Sequence, residues 1–437
     1  MNVRHGSLWV ISFTAILVMV VAAQDVGVLS RMAQEEISAK NWAVAEQHLQ
    51  AILAKDAASA EAHHLMSIVA LNRDNLKGAQ QSIASALELD SRNEEFRAQA
   101  DKIADLSRAM GQARRFYDER SYDDAVTQYE RIIEDYPTFA SAYYSMGLAF
   151  KMAGNLRKAA EAFRKATGHN SDDARYAMAL RKLVADKYNE GNRLYKSRDY
   201  DGAAEAYQEA YGLDPGFYQA YYRLARSLKN LGDIDGALEA LDHCLLIYPA
   251  YITAYVEKGN ILRREGEDEA AEEVYRQALA VDPKADNAWV GLGAVLRADR
   301  TEEAVAAFET AIAVNPKNAS ANEHLGELYS EQEKWPEALS HLELAAKLRP
   351  KRHTTAWRLA VVYNQLGEHE KARLSAKRST DINKNFEYAW YQKGIAEKAL
   401  GNRLAAIEAF KNAERGRDAG IRRTARYELS LLESPNR

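Results

Sequence analysis

Small and apolar residues recur along this chain with a period much longer than that of a single helix or strand. Alanine returns at Ala45, Ala79, Ala125, Ala159, Ala203, Ala237, Ala271, Ala304, Ala338, Ala372 and Ala406, mostly at steps of 34 residues. Four residues after each stands Leu49, Ile83, Tyr129, Phe163, Tyr207, Leu241, Tyr275, Phe308, Leu342, Ala376 or Phe410. A spacing of four puts both side chains on one face of a helix. Twelve residues before each alanine, or eleven before Ala304, lies Ala33, Ser67, Ala113, Gly147, Gly191, Ala225, Gly259, Gly293, Gly326, Ala360 or Gly394. Two antiparallel helices per unit follow, crossing closely where small residues let the backbones approach.

The punctuation between these segments agrees with that reading. Tyr136-Pro137, Asp214-Pro215, Tyr248-Pro249, Asp282-Pro283, Asn315-Pro316 and Arg349-Pro350 separate units, since proline lacks an N–H and drives the residue before it out of helical geometry. Within units, Gly154, Gly232, Gly266, Gly367 and Gly401 supply the left-handed conformation that closes a first helix. The unit from Asp286 carries Trp289, Leu292, Gly293, Leu296, Ala304, Phe308, Ala311 and Pro316, and this order at this period resembles the tetratricopeptide repeat. The resemblance covers roughly residues 26–420 and implies an all-α superhelical solenoid of eleven helix pairs.

Two steps are longer than the rest, and the extra residues near 94–105 and 174–183 contain neither proline nor glycine. Phe96, Ala100, Ile103 and Leu106, and then Tyr176, Leu180 and Leu183, continue a helical stripe, so each insert is expected to lengthen the first helix of the next pair. The sequence thus divides into pairs one and two at 24–93, a long helix with pairs three and four at 94–173, and a long helix with pairs five to eleven at 174–420. Residues 421–437 read as a capping helix and tail, with Tyr427 and Leu431 expected to close the end of the stack.

Before the repeats, Arg4 and His5 precede an apolar run from Leu8 to Val21, and Val21-Ala22-Ala23 offers small residues for cleavage. Residues 1–23 therefore read as a secretory signal peptide, the run being shorter than the roughly 20 residues a membrane-spanning helix requires. Export to a periplasm or the medium is expected, with an uncleaved N-terminal anchor as the alternative. The single cysteine, Cys244, follows the alanine pattern of a core position and suggests neither a disulfide nor a reactive thiol.

A net charge of −5 over 437 residues gives no global attraction to nucleic acid, so recognition must come from local patches. In the tetratricopeptide family the first helices line a concave wall. The family offsets place Arg223, Arg226, Lys229, Arg263, Arg264 and Arg297 there, opposed only by Glu257, with Asn260, Tyr222, Tyr188 and Asn192 beside them. Of the 24 tyrosines, 19 lie between Tyr117 and Tyr275. Arginine suits bidentate contact with carboxylates and tyrosine supplies amphipathic area, so the expected partner is a protein or peptide, acidic or bearing a free C-terminal carboxylate. The family's two-carboxylate clamp is matched only at Asn192, for Tyr188, Arg223, Thr253 and Glu257 stand at the other clamp offsets.

The chain lacks a phosphate-cradling glycine loop, a His-Glu-x-x-His, a Gly-x-Ser-x-Gly elbow and paired-cysteine metal motifs. His63 and His64 are adjacent, but no third ligand has metal-site spacing, and His63 is expected at the packing position. No catalytic residue, metal or cofactor is assigned. The expected role is a non-enzymatic scaffold or adaptor outside the cytoplasmic membrane, the alternative being a regulatory or substrate-presenting subunit of an exported enzyme or secretion system.

Overall fold

The structure, a computed structural model, describes residues 25–433; the expected signal peptide lies outside them. Among the described residues there are 23 helices and no strand. The chain divides into two compact units, one ending at Ala220 and the other beginning at Tyr221. The first holds α1 (Val26–Ser38), α2 (Trp42–Lys55), α3 (Ala60–Asn72), α4 (Leu76–Leu89), α5 (Glu94–Asp118), α6 (Tyr122–Asp135), α7 (Ala140–Met152), α8 (Leu156–His169), α9 (Ala174–Lys196) and α10 (Tyr200–Leu213). The boundary falls within α11 (Tyr218–Leu231). The second unit continues with α12 (Ile234–Ile247), α13 (Ile252–Glu265), α14 (Asp268–Val281), α15 (Asp286–Leu296), α16 (Thr301–Val314), α17 (Ala319–Glu331), α18 (Trp335–Leu348), α19 (His353–Gln365), α20 (His369–Ile382), α21 (Glu387–Ala399), α22 (Arg403–Glu414) and α23 (Ala419–Glu433).

Each alanine of the ladder is fully buried at 0% exposure, and each residue four positions later is at most 4% exposed. Large second-helix side chains sit directly on the small first-helix residues. A Cβ added to Gly147 would lie 2.6 Å from Phe163, one on Gly259 2.6 Å from Tyr275, and one on Gly394 2.5 Å from Phe410. Glycine at these places is therefore a packing requirement. Full burial of each such aromatic or leucine contributes about 1.5–3 kcal/mol, which is what binds one helix to its pair.

Ten of the eleven turns inside the pairs reach a left-handed conformation, by two routes. Gly154, Gly232, Gly266, Gly367 and Gly401 adopt positive φ as the sequence predicts, and Lys40, Asp74, Arg120, Arg198 and Glu333 adopt it in five other pairs. Between pairs, the residue before proline leaves helical geometry, as at Tyr136 (φ −130°) and Asp214 (φ −140°). The two inserts lie within α5 and α9, which reach 25 and 23 residues. Phe96 and Ile103 on the first half of α5 pack on Ala79, Ile83 and Ala86 of the second pair, while Leu106 and Ala113 on its second half join Ala125 and Tyr129 of the third. One long helix thus closes one pair and opens the next.

Within the first unit, the Asp74 carboxylate in the turn of the second pair accepts hydrogen bonds from the Ser141 backbone N–H and hydroxyl, both at 2.8 Å, and from the Tyr176 hydroxyl. This fastens the second pair to the starts of α7 and α9. At the C-terminal end, α23 forms, but its packed face differs from the expected one. Ala425 and Leu429 are buried with Ile421 and Leu432 against Phe410, whereas Tyr427 is 63% and Leu431 46% exposed. A two-residue offset is a 200° rotation on a helix, so Tyr427 and Leu431 point away from the stack.

Candidate functional site

The residues expected to recognise a partner occupy the first helices of their pairs, with Arg297 at the C-cap of α15, and the structure sorts them by what they already hold. Tyr188 and Asn192 belong to α9 in the first unit. Tyr188 packs between the Tyr207 ring, centroid 5.7 Å away, and the Phe217 ring at 5.1 Å. Asn192 follows Gly191, and its Oδ1 accepts the Tyr207 hydroxyl at 2.9 Å. The same device returns in the second unit, where Asn260 follows Gly259 and accepts the Tyr275 hydroxyl at 3.1 Å. Gly147 and Gly394, which face phenylalanine, are followed instead by apolar Leu148 and Ile395. Both asparagines therefore satisfy a buried phenol, a role a tyrosine needs and a phenylalanine does not.

The remaining candidates lie in the second unit. On α11, the Arg226 guanidinium lies over the Tyr222 ring at 6.0 Å, and Tyr222 meets Tyr251 edge to face at 5.3 Å. Arg223 and Arg226 are half-buried. Lys229 forms an ion pair with Glu257 of α13. Arg263 and Arg264 in the last turn of α13 are exposed, where positive charge also complements the helix C-terminus. Their field reaches the Tyr275 hydroxyl: burial pushes its pKa up to about 12, and the two guanidiniums oppose that rise.

Arg297 differs from Arg263 and Arg264. Its guanidinium meets Glu327 at 2.5 Å and also pairs with Glu331, both on α17. Glu327 is only 5% exposed and is held by Arg358 at 2.8 Å from the other side. Burial alone would raise its pKa, but the neighbouring His324 imidazole, 3.6 Å away, and the Arg358 and Arg297 guanidiniums outweigh it and hold the carboxyl down at about 2. Four residues earlier, Glu323 is 3% exposed and takes Arg352 at 3.0 Å and the Thr355 hydroxyl at 2.8 Å. Glu257 is thus not the sole carboxylate opposing the arginine run. The buried glutamates at 323 and 327 were not singled out from the sequence, yet each lies one repeat away from a basic residue that meets it.

No group of three metal-ligating side chains occurs among the described residues. Of the histidine pair, His64 rather than His63 is buried, at 2% exposure, with its ring 4.8 Å from Phe96. His63 sits at the helix rim, its Nε2 3.1 Å from the Ala57 carbonyl. Cys244 is fully buried, and desolvation pushes its thiol up to about 12, consistent with a small core residue. No helix among the described residues is long and apolar enough to cross a membrane.

Comparison with known proteins adds the family. The tetratricopeptide repeat model matches residues 110–180 and 188–245, and the model of the cilia and flagella-associated protein 70 middle TPR-like domain matches residues 221–382. No curated protein matches the chain. Among solved structures, MamA is 22% identical, covering 43% of this chain and 97% of its own at a TM-score of 0.34. YrrB, described as a TPR protein with an unusual peptide-binding site, is 22% identical over 44% of this chain and 98% of its own, at 0.34. A tetratricopeptide repeat protein from Parabacteroides merdae is 17% identical over 57% of this chain and 99% of its own, at 0.41. With eleven helix pairs packed through one small-residue ladder and two repeat models matched, the chain belongs to the tetratricopeptide repeat superfamily and is a protein–protein interaction scaffold.

Proposed function

We propose that this scaffold holds an acidic segment of a partner protein on the first-helix face of the sixth and seventh pairs, acting outside the cytoplasmic membrane as an adaptor. The observation that carries the reading is the adjacent pair Arg263 and Arg264, exposed in the last turn of α13. On the first helix of the preceding pair, Arg226 lies over Tyr222, its guanidinium oriented by an aromatic face. Charge-assisted contacts to carboxylates are stronger than neutral ones, and tyrosine adds contact area at low entropic cost. Because Asn260 holds Tyr275 and Arg297 holds Glu327, the reading favours side-chain carboxylates along a segment over a clamped terminal carboxylate. The location rests on the basic, apolar and small-residue order of residues 1–23.

The test is binding of a fluorescent peptide rich in aspartate and glutamate, with a free or an amidated C-terminus, to wild type and to the double reversal Arg263→Glu with Arg264→Glu. Loss of two charge-assisted contacts at about 1.5–3 kcal/mol each gives a weakening of 100-fold or more, on the order of ten-fold per 1.4 kcal/mol. Equal affinity of wild type and double reversal would overturn the site, and dependence on the free terminus would restore the terminal-carboxylate reading. Amino-terminal sequencing of the exported protein should begin at Gln24, and a start at Met1 removes the cleavage claim.

A further inference from the structure

The position of each side chain relative to the small residue of its first helix shows which faces this chain expects to be covered. Five residues before the small residue stand Ala62, Ala142, Ala220, Ala254, Ala288, Ala321, Thr355 and Ala389, all at most 2% exposed. Two residues after it stand Val69, Ala149, Ser227, Ile261, Leu328, Val362 and Ala396, again at most 2% exposed. These two positions pack on the second helix of the preceding pair, as Ala62 and Val69 do on Ala45, Leu49 and Ile52. Where a long helix leads into a pair instead, the same positions are Arg108 with Arg115 and Asp186 with Arg193, all exposed. The chain writes charge where this face meets water.

The two ends of the described chain depart from that rule. In α1 the first of these positions departs, being Val28 at 36% exposure, while the second, exposed Glu35, keeps the charge. At the other end, the three helices that close a run of pairs compare directly through their capping residues, Asn93, Asp173 and Asp418. Nine residues on, the outward position is Lys102 in α5 and Lys182 in α9, but Tyr427 in α23, with Leu431 one turn beyond. Val28 and Tyr427 thus stand apolar and exposed where the equivalent interior positions carry Arg108, Asp186, Lys102 and Lys182, the pattern of a surface meant to be covered.

We infer that the outward face of α23 docks on the outward face of α1 of a second copy of this chain. The two stripes match when the helices run antiparallel, as successive helices do in the stack. Val28, Arg31 and Glu35 on α1 then lie opposite Leu431, Tyr427 and Arg423 on α23, all six exposed. The match sets aliphatic against aliphatic, guanidinium against an aromatic ring, and carboxylate against guanidinium. Two faces of α23 related by a two-fold axis would lack that carboxylate opposite Arg423's neighbours along the stripe. The contact is heterologous, so a dimer held by one such contact keeps one free α1 face and one free α23 face and is open to further addition. A single helix-on-helix contact buries little area, so the association is weak and concentration-dependent.

Sedimentation velocity of the full chain over a rising concentration series tests this. Weight-average mass is expected to climb beyond the dimer, and Val28→Glu or Tyr427→Glu should each weaken association at least ten-fold while helical circular dichroism is unchanged. Glu35→Arg and Arg423→Glu should each weaken it singly, and the two reversals in one chain should restore it. That rescue separates docking from general stickiness of the apolar N-terminal residues. A mass constant with concentration, a plateau at the dimer, sensitivity to Tyr427→Glu without sensitivity to Val28→Glu, or failure of the double reversal to rescue would each overturn the inference.

Discussion

Arginines on equivalent helices of the second unit have opposite fates in the seventh and the eighth to tenth pairs. Arg297 and Arg358 flank the buried Glu327 from two sides, and Arg352 reaches the buried Glu323. Arg263 and Arg264 stay exposed. What separates them is the sequence about one repeat away, where a neighbouring first helix presents its side chains; Arg352 and Arg358 find Glu323 and Glu327 about one repeat earlier. Lys229 finds Glu257 at a distance of 28 positions, and Arg297 finds Glu327 and Glu331 at 30 and 34. The corresponding stretch for Arg263, residues 291–297, reads Gly-Leu-Gly-Ala-Val-Leu-Arg and contains no carboxylate. The same residue type is structural where a neighbouring pair answers it and presented to solvent where none does.

Removing the answering carboxylate breaks this contrast most severely. Glu327→Leu leaves half-buried Arg358 without its ion-pair partner and Arg297 with Glu331 alone, and the loss of one partner of a buried pair costs about 3–5 kcal/mol. Urea denaturation followed by circular dichroism should show that loss in the transition of the second unit. The pH dependence has the same origin. Glu327 is depressed to about 2 when folded, against about 4.3 in an unfolded chain, so its stabilisation is complete above the unfolded value and fades as pH falls from about 4.5 toward 2. An equal acid response in wild type and Glu327→Leu would remove the cluster from the account.

Converting the seventh pair into the likeness of the eighth has a smaller effect and speaks to binding. Ala294 is half-buried on α15, 31 positions after Arg263 and 30 after Arg264. Ala294→Glu supplies the missing carboxylate and should draw one of the two guanidiniums into an ion pair, weakening the acidic peptide by about ten-fold, the equivalent of one charge-assisted contact. Fluorescence anisotropy measures it, and unchanged affinity would show that proximity by repeat offset does not decide which arginines are presented.

Much of the architecture was written in side-chain volume. The alanine ladder, the glycines under Phe163, Tyr275 and Phe410, and the five glycine turns are dictated locally and read directly from the period. The turns at Lys40, Asp74, Arg120, Arg198 and Glu333 reach the same left-handed conformation without glycine, so no residue type marks them; only the repeat register does. The face of α23 was misread because Tyr427 and Leu431 are the larger apolar residues there, while the packed stripe runs through small Ala425. The ion pairs of the candidate face escaped a reading along single helices because their partners lie a whole repeat away.

Tyr275→Phe sharpens the comparison at its finest grain. Asn260 was assigned to the partner-binding face, yet its Oδ1 accepts the Tyr275 hydroxyl at 3.1 Å. The phenol is wholly buried and Asn260 half-exposed, so deleting the hydroxyl leaves a core-compatible ring and an amide that water can satisfy. The expected cost is that of one neutral hydrogen bond, about 0.5–1.5 kcal/mol. If the amide serves only the phenol, peptide affinity stays at the wild-type value while stability falls by that amount. If Asn260 also contacts the bound segment, the freed amide changes affinity in the variant, and Asn260→Ala made in the Tyr275→Phe background then weakens the peptide. The seventh pair would in that case present an asparagine and two arginines together, whereas the eighth, with Ala294 at the equivalent position and Phe308 in place of the tyrosine, has neither the amide nor the phenol that would hold it.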